Sequence, residues 1–428
     1  MFSIKKEEAQ PEEEPKGYLS DDNKRNHIKF VFQDCNINFL IGSGLSTPFF
    51  GTLGKIEEWL TDLEKKKSDL EDEEYIFIKA SLYNAYFEVA MQGNIDILNF
   101  SNEVTEYLEI GDTDTEEDNE HKRLNNTFLN YKDFLNTLSH ILYERRSNTV
   151  SKQVNLFTTN IDIFLEKTLE YLDLHFNDGF NGIFKKKFSL SNFKKSFYQK
   201  SLQYDNISEI PVFNLLKVHG SVTWKMISDN IHFSRLGYVR RISELKQKDE
   251  FEIIDINSLN NEKWKADKQD LTIDEIVQQL EEFDDIPDLS KFLRLYEKLQ
   301  IINPTKEKFK DTTFNKTYYE LLRLYANELE KENTVLFVMG FSMADEHIRE
   351  ITIRALKSNP TLKVFFVPYM QDANDIRANF KADKLEVENF KNIDFINPED
   401  KFSLQRFNEE ILMPLLEEVR KSNNSKKY

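Results

Sequence analysis

The sequence predicts an α/β protein built on a parallel sheet with helical crossovers. Three observations predict it. Short apolar runs recur along the chain, each run ends in glycine or polar residues, and charged, amphipathic segments of helical period separate the runs. In such sheets ligands bind beyond the carboxyl ends of the strands, so the polar residues after each run are the candidates for chemistry.

Residues 1–26 are rich in Lys, Glu, Asp and Pro, which predicts a disordered charged leader. One domain is expected over 27–428. Its first strand is Asn36-Ile37-Asn38-Phe39-Leu40-Ile41, an apolar run that ends in glycines and reads as a buried strand entering a tight turn. A helix is expected near 54–62. Residues 60–150 are charged and helical in pattern. Leu124, Phe128, Tyr131, Leu135, Leu138 and Leu142 follow the spacing of one amphipathic helix face, behind an acidic loop from Asp112 to Glu120.

A second strand is Val154 to Thr158, with a helix from about Phe164. A third is Phe213 to Val218. Residues 240–330 return to helical, charged sequence. Further strands are expected at Thr334 to Met339, Leu362 to Val367 and Asn392 to Ile396, and a C-terminal helix over about 402–421. The stretches at about 60–150 and 240–330 read as large helical insertions that roof the strand ends, and they are candidate assembly surfaces.

Composition excludes several classes. The chain has 428 residues and a net charge of −18, which argues against coating nucleic acid, because phosphate binding needs clustered positive charge. One cysteine, Cys35, excludes a disulfide framework and a four-cysteine zinc ribbon. No apolar run is long enough to span a membrane, and the N-terminus lacks the apolar core of a secretory signal. The expectation is a cytoplasmic globular protein. One local exception to the acidity runs from Lys185 to Lys200, where lysines alternate with aromatic residues. That pattern grips single strands in some proteins, but it is more often a helix or loop with an apolar face and solvated lysines, and direct nucleic-acid binding is not expected.

Four polar clusters follow the strands. Gly42-Ser43-Gly44-Leu45-Ser46 follows the first, where glycines permit positive φ and let a diphosphate approach the backbone. Taken alone it is also an ordinary strand-to-helix turn. Thr158-Thr159-Asn160-Ile161-Asp162 follows the second. Asn160 is a donor and acceptor that can fix a water or an amide, and Asp162 an acceptor for an amide nitrogen. The same residues also make an Asx turn and helix cap. His219-Gly220-Ser221 follows the third and puts a histidine where a base near neutral pH is useful. Gly340-Phe341-Ser342-Met343-Ala344-Asp345 follows the fourth. Ser342 and Asp345 suit ribose hydroxyls, or cap the next helix.

In this order the clusters resemble the motifs of the sirtuin superfamily of NAD-consuming proteins. Gly42 to Ser46 resembles its GAGxS motif with Ser43 for Ala, Thr159 to Asp162 its (T/Q)N(I/Y)D motif, and His219-Gly220-Ser221 its HGS motif. Gly340-Phe341-Ser342 with Asp345 resembles the GYSxxD motif of the prokaryotic branch. The chain departs from the deacylases in lacking both zinc cysteines and an Asp-Phe-Arg after the first motif, where Pro48 to Gly54 stands instead. In these departures, and in Asn177-Asp178-Gly179-Phe180, it resembles the sirtuin-like NADases of bacterial anti-phage defence.

The resemblance implies a Rossmann-like NAD-binding fold and an NAD hydrolase that releases nicotinamide and ADP-ribose, has no zinc and no assigned metal ligands, and is controlled by a partner or by assembly. It implies catalytic Asn160 and His219. It implies NAD contacts from Gly42, Ser43, Gly44, Ser46, Asp162, Gly220, Ser221, Gly340, Ser342 and Asp345. It also implies a homo-oligomer and, as one recurring partner, a HerA-type ATPase. Two other readings stand beside it: an NAD-dependent protein deacylase, and a non-enzymatic NAD or ADP-ribose sensor.

Overall fold

The computed structural model describes residues 17–51, 54–100, 106–111, 115–147, 149–203, 205–248, 250–263, 270–303 and 312–425. Six strands form most of its central sheet: β1 (Asn36–Ile41), β2 (Gln153–Thr158), β3 (Val212–Lys217), β4 (Thr334–Met339), β5 (Lys363–Val367) and β6 (Ile393–Phe395). A two-residue strand, Phe176–Asn177, adds the edge beyond β3. All pairings in this sheet are parallel, and the spatial order is β6-β5-β4-β1-β2-β3 and then the Phe176–Asn177 edge. The order reverses between β1 and β4, the switch point at which a Rossmann-like sheet opens a crevice. The expected fold class and six strands are therefore observed.

Register carries this topology to the site. Ile41 pairs with Thr158 on one side and Met339 on the other, and Thr158 pairs with Lys217. The four strands thus end at one level. Gly42, Thr159, Val218 and Gly340 leave the sheet side by side.

Apolar strands need cover on both faces, and two cores supply it. Ile37, Phe39 and Ile41 pack with helix α1 (Asp22–Asp34), helix α4 (Glu116–Tyr143) and helix α9 (Met413–Ser425). On the other face Leu40, Phe157, Leu216 and Val338 pack with α6 (Thr312–Leu329) and α7 (Glu346–Ser358). Phe337 stacks between Phe39 and Phe365 at centroid distances of 5.1 Å, and Phe39 meets Phe134 of α4 edge-on at 5.2 Å. The remaining labelled helices are α2 (Ile56–Lys65), α3 (Asp72–Phe87), α5 (Phe164–Tyr171) and α8 (Asn374–Ala382).

One polar row crosses the second core. Asn38, Asn155, Asn214 and Asn177 are register partners on four adjacent strands. Asn155 Nδ2 donates to Asn38 Oδ1 (2.8 Å), Asn214 Nδ2 to Asn155 Oδ1 (2.9 Å), and Asn177 Nδ2 to Asn214 Oδ1 (2.9 Å). Asn38 Nδ2 closes the row on Val335 O at 3.2 Å. A one-residue slip of any strand moves its amide to the other face, so the row locks register.

Several expectations are corrected. The leader was expected to be disordered through residue 26. Instead Gly17–Ser20 form a 3-10 turn with Tyr18 and Leu19 buried, and α1 begins at Asp22, capped by Asp21 Oδ1 accepting from Asn23 N at 2.8 Å. Two apolar anchors outweigh the charged average around them. Residues 1–16 of the expected leader lie outside the described residues. The expected acidic loop is largely helix: Glu116 to Glu120 open α4 behind a Thr115 cap, where negative charge suits the helix dipole. Residues 112–114 lie outside the described residues.

The C-terminal helix continues to Ser425 and is interrupted by a π-turn at Asn408–Leu412. Lys185 to Lys200 is neither helix nor a plain loop. Lys187–Phe188 joins a small antiparallel sheet with Phe180–Asn181, Trp224–Ile227 and Asn230–Phe233, while Phe197–Lys200 pairs with Ile207–Ile210. Phe188 and Phe193 are buried, and the Phe188 ring lies 5.0 Å from Trp224. Among the described residues no helix is long and apolar enough to cross a membrane.

Candidate functional site

Beyond β1 the chain makes a three-residue 3-10 turn, Ser43–Leu45, and α2 begins only at Ile56. The positive φ that glycine permits occurs elsewhere, at Gly340 (60°) and Gly220 (79°). Gly44 is required for a different reason. A Cβ there would lie 2.9 Å from both Cα and O of Gly340, so two backbones meet where no side chain fits. Gly44 N donates to Gly340 O and Gly42 N to Met339 O, each at 2.9 Å. Leu45 N and Ser46 N are turned inward to Gly42 O and Ser43 O. The turn therefore clasps β1 to β4, and four of its N–H groups are already engaged within the protein. These four donors are not free to meet a diphosphate.

Beyond β2, Thr158 Oγ1 accepts from Asn160 N at 3.0 Å and fixes the turn. Asp162 Oδ1 accepts from Phe164 N (3.0 Å) at the start of α5, as an Asx turn does. Its other oxygen, Oδ2, accepts from Ser46 Oγ at 2.9 Å. Ser46 has one proton, which Asp162 takes. The Tyr131 hydroxyl (2.9 Å) and Asn160 Nδ2 (3.1 Å) therefore both donate to Ser46 Oγ. Burial, with Asp162 second, raises the Tyr131 hydroxyl well above its ordinary pKa and keeps it a donor. This chain of donors orients the amide, and Asn160 Oδ1 is left buried with no hydrogen-bond partner.

Lys217, the last residue of β3, reaches back under this loop. Its Nζ donates to Asp162 O and lies 2.9 Å from Glu166 Oε1 on α5. Burial raises the Glu166 carboxyl above its ordinary pKa, opposed by Lys217.

Beyond β3, His219 is anchored by Ile302 N donating to its carbonyl at 2.9 Å. His219 Nε2 lies 3.2 Å from Asp345 Oδ2, a distance at which a protonated imidazole and a carboxylate attract, although the pair is not aligned as a hydrogen bond. Asp345 also caps α7, its Oδ1 accepting from Ile348 N at 3.1 Å. Asp345, expected on a ribose, thus faces the histidine. The Tyr318 ring flanks His219 at 6.2 Å.

Two cavities lie at these strand ends. One, of about 240 Å³, is lined by Ser43, Ser46, Phe50, Tyr86, Asn160, Asp162, His219 and Ile302, among others. The other, of about 460 Å³, is lined by Gly44, Gly340, Phe341, Ser342, Tyr369, Asp372, Asp375 and Ile376, among others. Ser43 and Gly44 are consecutive, so the turn is their shared wall. Gly42, Gly220 and Ser221 line neither cavity. Ser221 is fully buried, 2.9 Å from Thr223 Oγ1, and its strand pairs with Gln300–Ile301, a supporting position.

Sequence reading missed Tyr131, which stood only as one residue of an apolar helix face, and it missed Lys217 with Glu166. The signals were present: a buried tyrosine hydroxyl needs a partner, and a lysine ending an apolar strand needs a carboxylate. Tyr86, whose hydroxyl burial pushes up to about 12, carried no such signal.

Among the described residues no group of three or more His, Cys, Asp and Glu side chains is placed to hold a metal ion. No protein-family model and no curated protein matches the chain.

Proposed function

We propose that this chain is an NAD hydrolase that releases nicotinamide and ADP-ribose. The reading rests on the motif resemblance, and one structural observation supports it most. Asn160, Asp162 and His219 come from two different strand ends and line a single cavity, and Asn160 Oδ1 is buried without a hydrogen-bond partner. A buried acceptor without a partner is costly unless a ligand or water completes it. The two adjoining cavities fall, taken together, in the range of roughly 300–1,000 Å³ usual for small-molecule sites.

In this reading the nicotinamide riboside end occupies the cavity of Asn160 and His219. The dinucleotide crosses the wall of Ser43 and Gly44, and the adenosine end occupies the cavity of Ser342. The bond between the ribose and the nicotinamide nitrogen breaks through a cation-like sugar, as in other glycosyl transfers. Asn160 Oδ1 accepts a hydrogen bond from the attacking water. The water oxygen bonds to the sugar carbon, nicotinamide leaves with the bond electrons, and His219 takes the proton. The Asp162 carboxylate supplies negative charge beside the developing cation in a water-poor site.

Asp162 is then chiefly an anchor, since both oxygens already accept. An unrestrained enzyme of this kind depletes its own cell. Control by assembly or by an ATPase partner, in defence against phage, belongs to the same proposal.

The test is nicotinamide release by the purified chain, alone and with candidate partners. Asn160→Ala and His219→Ala are expected to stay folded and lose about 10²–10⁴-fold in turnover. Wild-type rates in both variants would falsify the assignment.

A further inference from the structure

Part of the wall around Asn160 and His219 comes from a π-turn. Helix α3 ends at Phe87, and Glu88–Gln92 continue it as a π-helix, with Tyr86 and Ala90 lining the cavity. Such turns are rare and occur mostly at functional sites. Side chains hold this one from two directions. On the inner side stands Asn94, which is fully buried. Its Nδ2 donates to Met91 O of the turn at 2.8 Å, and its Oδ1 accepts from Ile163 N at 3.0 Å. Ile163 directly follows Asp162, so one side chain ties the π-turn to the loop of Asn160 and Asp162. The chain just past the turn also backs Phe50, a cavity residue: a Cβ on Gly93 would lie 2.8 Å from the Phe49 ring and 3.1 Å from the Phe50 ring. On the outer side stands Lys246, the last residue of the helix Gly237–Lys246. Its Nζ donates to Glu88 Oε1 and, at 3.2 Å, to Gln92 Oε1, the first and last residues of the turn. Asn257 Nδ2 adds a bond to Glu88 Oε2 at 2.7 Å.

We infer that Asn94 is a positioning residue for the reacting loop, and that Lys246 and Asn257 hold it in place through the π-turn. This inference rests on the proposed NAD hydrolase reading. It deepens that reading by naming the residues through which the helical stretch after Gly237 governs the site. Asn94 does not line the cavity, so it touches no substrate. It acts by fixing Ile163 N, and with it the placement of Asn160 and Asp162. A misplacement of about 1 Å at a reacting group costs about 10²-fold in rate. An effect of this kind falls on kcat and leaves KM nearly unchanged.

The experiment measures nicotinamide release from NAD, and amide hydrogen exchange, in the full chain as wild type, Asn94→Ala and Lys246→Met. Asn94→Ala is expected to lower kcat by about 10–100-fold with KM within about twofold, and to speed exchange in the segment 159–164, where Ile163 N has lost its acceptor. Lys246→Met keeps the length of the side chain and leaves the buried amide untouched. It is expected to lower kcat by about threefold to tenfold and to speed exchange at both 88–94 and 159–164, with little change in melting temperature. If Asn94→Ala unfolds, Lys246→Met decides alone. Wild-type kcat in the folded variants overturns this inference and leaves the proposed function standing, as does a raised KM at unchanged kcat. Faster exchange confined to 88–94 in Lys246→Met breaks the link from the helices to the loop. No nicotinamide release by wild type, alone or with candidate partners, overturns the proposed function itself, and exchange at 159–164 then decides the brace.

Discussion

Two buried polar networks, one inside the sheet and one beyond its strand ends, are finished differently. In the row of Asn38, Asn155, Asn214 and Asn177 no buried nitrogen or oxygen lacks a partner. In the cluster of Ser46, Asp162, Tyr131 and Asn160 one oxygen does. The row is closed, because each amide meets its register partner at a fixed strand spacing. The cluster stands just past the strand ends, where there is no next strand to supply a partner. A closed network specifies a structure, and an open one leaves a buried acceptor to be completed by a ligand or water. The two should therefore fail in opposite ways when cut.

The largest separation is expected at Asn160. Asn160→Ala should abolish turnover by about 10²–10⁴-fold while urea denaturation shows stability within about 1 kcal/mol of wild type, because the lost group was already half unsatisfied. A variant that unfolds would make Asn160 part of the closed architecture and collapse the comparison.

Next comes the support beneath the open cluster. Lys217→Met leaves the Glu166 carboxylate buried without its cation, expected to cost about 3–5 kcal/mol at pH 7. Burial already holds the Glu166 pKa above its ordinary value. A carboxyl raised in this way binds its proton more tightly when folded. It favours the fold at low pH, and that advantage is lost as pH rises through the folded pKa. Without Lys217 the pKa rises further, so the deficit of the variant should shrink between pH 7 and pH 5. A deficit that does not depend on pH would mean that Lys217 acts through packing and its bond to Asp162 O.

The closed row gives a smaller and purely structural effect. Asn214→Ala strands Asn155 Oδ1 and leaves Asn177 Nδ2 only its bond to Lys195 O, at about 1–3 kcal/mol, with affinity for ADP-ribose unchanged. A loss of affinity at equal stability would show the row reaching into the site.

The smallest effect is expected at Asp345. Asp345→Asn keeps an oxygen to cap α7 and removes the charge facing His219. Turnover should fall by several-fold to about tenfold, with little change in melting temperature. Turnover equal to wild type would return Asp345 to a capping role alone.

Much of the fold was legible. Parallel strands buried on both faces read as continuous apolar runs, and Asn36–Ile41 and Thr334–Met339 begin and end at the expected residues. Local patterns served less well where a few residues outweigh their surroundings. Tyr18 and Leu19 anchor a charged stretch, and Phe188 and Phe193 turn a lysine-rich segment into strands. For the site, the clusters after the strands named the chemical groups but not their partners. Ser46 reaches Asp162 across 116 positions and Tyr131 across 85.

The sequence by itself determined the period of each element, the apolar strands and the residue types at their carboxyl ends, because these are local properties of neighbouring side chains. Only the tertiary structure decided that Gly44 clasps Gly340, that Asp345 faces His219, that Lys217 braces the Asp162 loop, and that four asparagines line up across four strands. Each of those depends on strand order and register, which bring together residues that no local spacing relates.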